Sequence, residues 1–193
     1  MMNQDSVKLL SNLSLTMFRK NFFGIYHGAI SAKLDQHNFM INTSNAIFDE
    51  MDEKSFCLLN INKRDYRWNI ASIESDIHAT IYANIHEAKY IAFGMPIYTT
   101  AYTFNHDKIV FEDFFGKTTF GEVVIYDPGD FSTWYKRNAL EITKYLKESI
   151  NNNIMVIRGV GTYVYDRDIY ELLKKIAILE NSCRLLSLKT TFN

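Results

Sequence analysis

The residues best placed to do chemistry sit in Ser72-Ile73-Glu74-Ser75-Asp76-Ile77-His78. Glu74 and His78 are four apart, so on a helix they share one face, and a carboxyl beside an imidazole can move protons. Each also has a plainer reading. Glu74 is a first-turn carboxylate suited to the positive end of a helix, and His78 is a packed, hydrogen-bonded core histidine. The packed reading is preferred for His78. No metal-ligand spacing is present elsewhere: His78, His86 and His106 form no His-x-His pair. Cys57 and Cys183 lie in apolar segments and read as two buried, reduced thiols. Gly159-Val160-Gly161 lacks the third glycine and the following helix of a dinucleotide fingerprint.

The elements that must position these groups alternate between helical and strand patterns. Leu9, Leu10, Leu13, Met17 and Phe18 give Val7 to Phe23 a helical period, with Gly24 expected to stop it. Ile30 to Leu34 and Asn38 to Asn42 read as a hairpin turning at Asp35-Gln36-His37. Phe56 to Ile61 reads as a buried strand, and Arg64 to Trp68 as another short one. Ser72 is the expected N-cap of a helix reaching about Asn84. A strand over Tyr90 to Phe93 and a helical turn over Tyr98 to Tyr102 follow. Gly121 to Tyr126 is a strand stopped by Asp127-Pro128-Gly129-Asp130. Thr133 to Ser149 reads as an amphipathic helix, Ile154 to Ile157 as a strand, Tyr163 to Tyr165 as its antiparallel return, and Asp168 to Leu186 as a closing helix. Helices before, between and after a mostly antiparallel sheet give an α/β layered domain, read as one domain over residues 1–193.

The bulk numbers narrow the function. A chain of 193 residues buries a core without staples, and a net charge of −1 offers no electrostatic case for nucleic acid or an anionic membrane. Met1 to Ser11 is not patterned as a signal peptide, and no apolar run reaches the ~20 residues a membrane span needs. A cytoplasmic location is the expectation. Tyr and Phe are abundant, at 12 and 14; a place in the core is the commonest reading for such rings, and several from Tyr98 to Phe120 are also expected to contribute to an interface with a partner subunit.

In order and spacing the chain resembles the class II aldolase/adducin head family, whose familiar example is L-fuculose-phosphate aldolase. Gly28-Ala29-Ile30-Ser31 resembles the family's Gly-Asn-x-Ser turn, and Asn42-Thr43-Ser44-Asn45 its Thr-Pro-Ser/Thr-Gly loop. Ser72-Ile73-Glu74 with His78 resembles the Ser-Ser-Glu-x-x-x-His helix start. Tyr126-Asp127-Pro128-Gly129 resembles a Pro-Gly turn, and Met155 to Gly159 the strand that ends in His-Gly. The resemblance covers nearly the whole chain. It implies a three-layer fold with a central, mostly antiparallel sheet flanked by helices.

It also implies a chemistry for which the residues are missing. The family binds zinc through three histidines and polarises a carbonyl while a carboxylate moves the proton. The matching positions here are Phe93, Met95 and Arg158. A phenyl ring has no lone pair, a thioether is a poor zinc ligand and a guanidinium is a permanent cation. Neither a metal nor a cofactor is therefore expected. Glu74 matches the family's acid/base. Gly28, Ser44, Asn45, Ser72 and Arg158 are the candidate ligand-binding residues, with Asn45 expected in a left-handed turn. Arg158 is expected within ion-pairing reach of Glu74, directly or through water or a small bound anion.

Together these features suggest a catalytically degenerate family member that acts as a ligand- or protein-binding homo-oligomer, a tetramer if it follows its relatives. The alternative is a sugar-phosphate aldolase, lyase or isomerase that works without metal or with a rearranged metal site, using Glu74 as acid/base.

Overall fold

A computed structural model describes residues 4–149 and 153–189. Helix α1 (Gln4–Arg19) buries Leu10, Leu13 and Met17 on one stripe. It stops at Asn21, not at the expected Gly24. Asn21 takes φ 60, and the N–H groups of Asn21 and Phe22 donate to the carbonyls of Phe18 and Met17, both at 2.9 Å. This is the Schellman pattern, with an asparagine in the left-handed position usually given to glycine.

Strands β1 (Ala29–Lys33) and β2 (Asn38–Asn42) form the anticipated hairpin. Its turn is held by the Asp35 carboxylate, which accepts the N–H groups of His37 and Asn38 at 2.7 and 2.8 Å. Strand β3 (Phe56–Asn60) pairs with β2. The segment expected as a further strand is instead a 3-10 turn over Tyr66–Asn69. Asp65 accepts the Arg67 N–H at 2.9 Å and also binds its guanidinium, and this local bonding competes with an extended strand.

Helix α2 (Ser75–Asn84) leads to β4 (Tyr90–Gly94) and α3 (Ile97–Tyr102). A short β5 (Lys108–Val110) and α4 (Phe114–Phe120) come next, neither of them apparent in the sequence. Strand β6 (Glu122–Tyr126), α5 (Phe131–Glu148), β7 (Ile154–Ile157), β8 (Gly161–Asp166) and α6 (Ile169–Lys189) complete the order.

The sheet runs β3-β2-β1-β4-β8-β7-β6-β5, and only β6 and β7 are parallel. Side chains alternate between its two faces. Ala92, Ile154 and Val156 enter the core beneath α1, α4 and α6, while Ile91, Phe93, Met155 and Ile157 enter the core beneath α2 and α5. Three layers result, as the sequence implied. The first turn of α3 has no cap of its own: Glu180 of α6 accepts the N–H groups of Tyr98 and Thr99 and the Thr99 hydroxyl at 2.7–2.9 Å. Among the described residues, no helix is long and apolar enough to cross a membrane.

Candidate functional site

The site forms where β1, β4 and β8 end beside the start of α2. Register places Phe93 of β4 between Ala29 of β1 and Tyr163 of β8. The rings of Phe93 and Tyr163 stack at 4.5 Å between centroids, 27° apart. The Tyr163 hydroxyl donates to the Glu74 carboxylate. Glu74 itself occupies the residue before α2, with helical φ and ψ and no side-chain capping bond. Its side chain is free to face the strands because Ser72 and Ser75 hold the helix start. The Ser72 hydroxyl accepts the Glu74 N–H at 3.3 Å, and the Ser75 hydroxyl donates to the Ser72 carbonyl at 2.6 Å.

Gly28, Ser44, Ser72, Glu74, Phe93 and Met95 all line one cleft of about 130 Å³. Four of the six sequence candidates therefore come together. The loop that carries Ser44 is fixed by a bond from its N–H to the Ile70 carbonyl at 2.9 Å and by the Thr43–Ala71 bridge. On the other wall, the Ile30 N–H donates to the Asn42 side chain at 2.9 Å. Gly28 has φ 151, and a Cβ there would meet the Phe23 ring at 2.6 Å.

Two candidates fall elsewhere. Asn45 is exposed and outside the lining, and its backbone is not left-handed; among the described residues only Asn21 is a non-glycine with positive φ. Arg158 does not reach Glu74. Its guanidinium donates to the Thr103 carbonyl and to Asp107, both at 2.6 Å, and Asp127 lies 3.4 Å from its Nε. The backbone explains this. The Arg158 N–H is tied to the Tyr126 carbonyl at the end of β6, which sets the side chain beside the loops that carry Asp107 and Asp127. Glu74, meanwhile, already has a donor in Tyr163.

Burial raises the Glu74 carboxyl above its usual range, and the Tyr163 bond offsets part of that rise. Burial and then the neighbouring Glu74 push the Tyr163 phenol well upward. Among the described residues, no lysine or arginine lines the cleft. The pair can hold and release a proton in a pocket whose one basic side chain is His27. His78 has no part in it. It is fully buried, its Nδ1 lies 2.7 Å from the Ser31 hydroxyl, and burial lowers its pKa to about 3, so the imidazole is neutral. Tyr163 was missed by the sequence reading, which placed it on a strand but not on a face. Its register opposite Phe93 is the signal that would have found it.

The zinc that the resemblance implies does not fit these residues. Phe93 is stacked on Tyr163, Met95 is partly exposed with only a thioether to offer, and Arg158 is a cation held by two carboxylates. Among the described residues, no group of three or more His, Cys, Asp or Glu side chains could hold a metal ion.

Residues 8–187 match the model of the Class II Aldolase and Adducin N-terminal domain. No curated protein matches the chain. Among solved structures it is similar to L-fuculose-1-phosphate aldolase from Thermus thermophilus, with a TM-score of 0.84 at 17% identity over 96% of this chain and 94% of that one. It is also similar to YgbL, a putative aldolase/epimerase/decarboxylase from Escherichia coli, with a TM-score of 0.78 at 17% identity over 96% and 89%. A sugar-phosphate aldolase from Thermotoga maritima gives 0.76 at 14% identity over 98% and 96%. At these identities the structures establish the fold, and the family model covers nearly the full length. The chain belongs to the class II aldolase and adducin N-terminal domain family.

Proposed function

We propose that this chain no longer carries out zinc-dependent aldol chemistry and instead binds a small ligand in the Glu74 cleft. One observation supports this above the rest: aromatic rings close the end of β4, with Phe93 on Tyr163 and the Tyr163 hydroxyl on Glu74. A metal-polarised carbonyl would need lone-pair donors there. At about 130 Å³ the cleft is below the roughly 300–1,000 Å³ of drug-sized sites and suits only a small ligand. No lysine or arginine lines it and His27 is its one basic side chain, beside the Glu74 carboxyl, so the ligand is read as a small uncharged hydroxy or carbonyl compound. Elemental analysis of protein purified without added metal tests the proposal. We expect well under one zinc per chain and no aldol cleavage of sugar phosphates with zinc supplied. About one zinc per chain, or cleavage abolished by a chelator, overturns it.

The second reading is a metal-independent lyase or isomerase, favoured by a carboxyl of raised pKa facing the cleft. Exchange of carbon-bound hydrogen of small hydroxy-carbonyl compounds with deuterated water, lost in Glu74→Gln, would select this reading.

We also propose a cytoplasmic homo-oligomer. Phe104 and Phe131 are both more than half exposed and flank Gly159, and Phe114 and Phe115 lie exposed side by side. Phe111 and Phe120 of the same aromatic region are core residues. Exposed ring clusters of this kind mark interfaces. Light scattering at micromolar concentration should report an oligomer, and a monomer would refute it.

A further inference from the structure

On the opposite side of the sheet from the Glu74 cleft, the end of α1, the first turn of α3 and one stripe of α6 flank a half-open cavity of about 440 Å³. That volume lies in the range of small-molecule sites, roughly 300–1,000 Å³. Leu173, Ala177, Glu180 and Arg184 follow one another at helical spacing, so a single face of α6 forms the wall. Phe22 and Tyr98 add apolar surface, and the lining is mostly apolar.

Lys20 and Arg184, both exposed, stand at this cavity. Arg184 lies over the Tyr98 ring at 5.6 Å, and among the described residues neither cation has a carboxylate partner. Glu180 is the one carboxylate in the lining. Both of its oxygens are taken up by the Tyr98 and Thr99 N–H groups and the Thr99 hydroxyl. It is satisfied by three neutral donors and forms no ion pair with either cation, leaving a net charge of +1 at the cavity.

We propose that this cavity binds an amphiphilic monoanion, an aliphatic carboxylate whose chain lies on Leu173, Ala177 and Phe22 and whose head group pairs with Lys20 and Arg184. Apolar burial supplies the bulk of the affinity, and the cations supply the preference for a negative head. The assignment is independent of the Glu74 cleft and of any activity there.

The test is titration calorimetry of the full chain with octanoate, octanol and octylamine, paired with methyl NMR. Octanoate is expected to bind saturably at one per chain, to move the Ala177 and Ile97 methyl signals, and to weaken as salt is raised. Lys20→Gln with Arg184→Gln should reduce octanoate affinity by roughly tenfold while the melting temperature stays unchanged, since both side chains are exposed. Absence of saturable octanoate binding overturns the proposal. So does equal affinity for octanol or octylamine, methyl shifts confined to another region, or an unchanged affinity in the double variant.

Discussion

Tyr163→Phe isolates the single bond on which the Glu74 cleft depends. The change keeps the ring that stacks on Phe93 and removes only the hydroxyl that donates to Glu74. Tyr163 is 2% exposed, so the variant leaves the packing of the ring in the β4–β8 seam unchanged. A hydrogen bond to a charged group contributes about 1.5–3 kcal/mol, and one between neutral groups about 0.5–1.5 kcal/mol. The cost of the variant therefore depends on the charge of Glu74. Burial raises the folded Glu74 pKa, so the folded chain holds this proton more tightly than the unfolded one. That contribution is fully present below the unfolded pKa and is lost as pH rises through the folded pKa. Tyr163 pulls the folded pKa down, so removing its hydroxyl moves the loss of stability to a wider window above the unfolded pKa.

Urea unfolding at about pH 4 and about pH 8.5, on either side of the ordinary glutamate range, measures this directly. We expect a loss near 1 kcal/mol at the lower pH and about 2–3 kcal/mol at the higher, the latter a fall of roughly 4–12 °C in melting temperature for a chain of this size. Glu74→Gln should remove the pH dependence of that loss. A loss below about 0.5 kcal/mol at the higher pH, or one equal at both, would refute the reasoning. Additivity of Tyr163→Phe and Glu74→Gln within about 0.5 kcal/mol would refute it too.

Arg158→Ala releases the Thr103 carbonyl and Asp107 and should cost about 1–2 kcal/mol in urea unfolding, with Glu74→Gln giving no rescue. Gly161→Ala should cost more than about 3 kcal/mol or prevent folding, because φ is +138 and the new Cβ would lie 2.4 Å from the Gly94 carbonyl oxygen. Gly121→Ala, at φ +67 with open space around it, should cost only about 1–2 kcal/mol, and equal losses at the two glycines would contradict the packing described. The His78 imidazole should keep the nitrogen shifts of a neutral ring down to about pH 4, and protonation near pH 6.5 would contradict its burial.

The periodic segments of this chain were legible because period and packing agree. The β1–β2 hairpin, α5, α6 and the β7–β8 return all carry apolar residues at the spacing of the element they form. Short elements were harder. Strand β5 has three residues and α4 seven, and α4 owes its start to Asp113, whose carboxylate accepts the Gly116 N–H at 2.9 Å. The gathering of Gly28, Ser44, Ser72 and Glu74 was readable through resemblance, since order along the chain fixed which strand ends meet. The partner of Arg158 was not. Asp107 and Asp127 lie on two loops, and only the pairing of β6 with β7 decides that the guanidinium meets them and not Glu74. The place of Tyr163 likewise required a register between distant strands.

Strand β4 has a consequence for how the chain folds. Strands β1 to β3 pair among themselves, and so do β5 to β8; the two groups meet only through β4, which pairs with residues 29–32 on one edge and 162–166 on the other. Both pairings are long in sequence, so each carries a large loop-closure cost before its contacts form. Two locally paired half-sheets can assemble early, but neither has a complete core until Ile91 and Ala92, both wholly buried, lie between them. Docking of β4 is then the step that makes folding cooperative, and its amides would exchange with solvent only through global unfolding. The same strand carries Phe93, so the floor of the Glu74 cleft comes into being in the step that commits the whole chain to its native state.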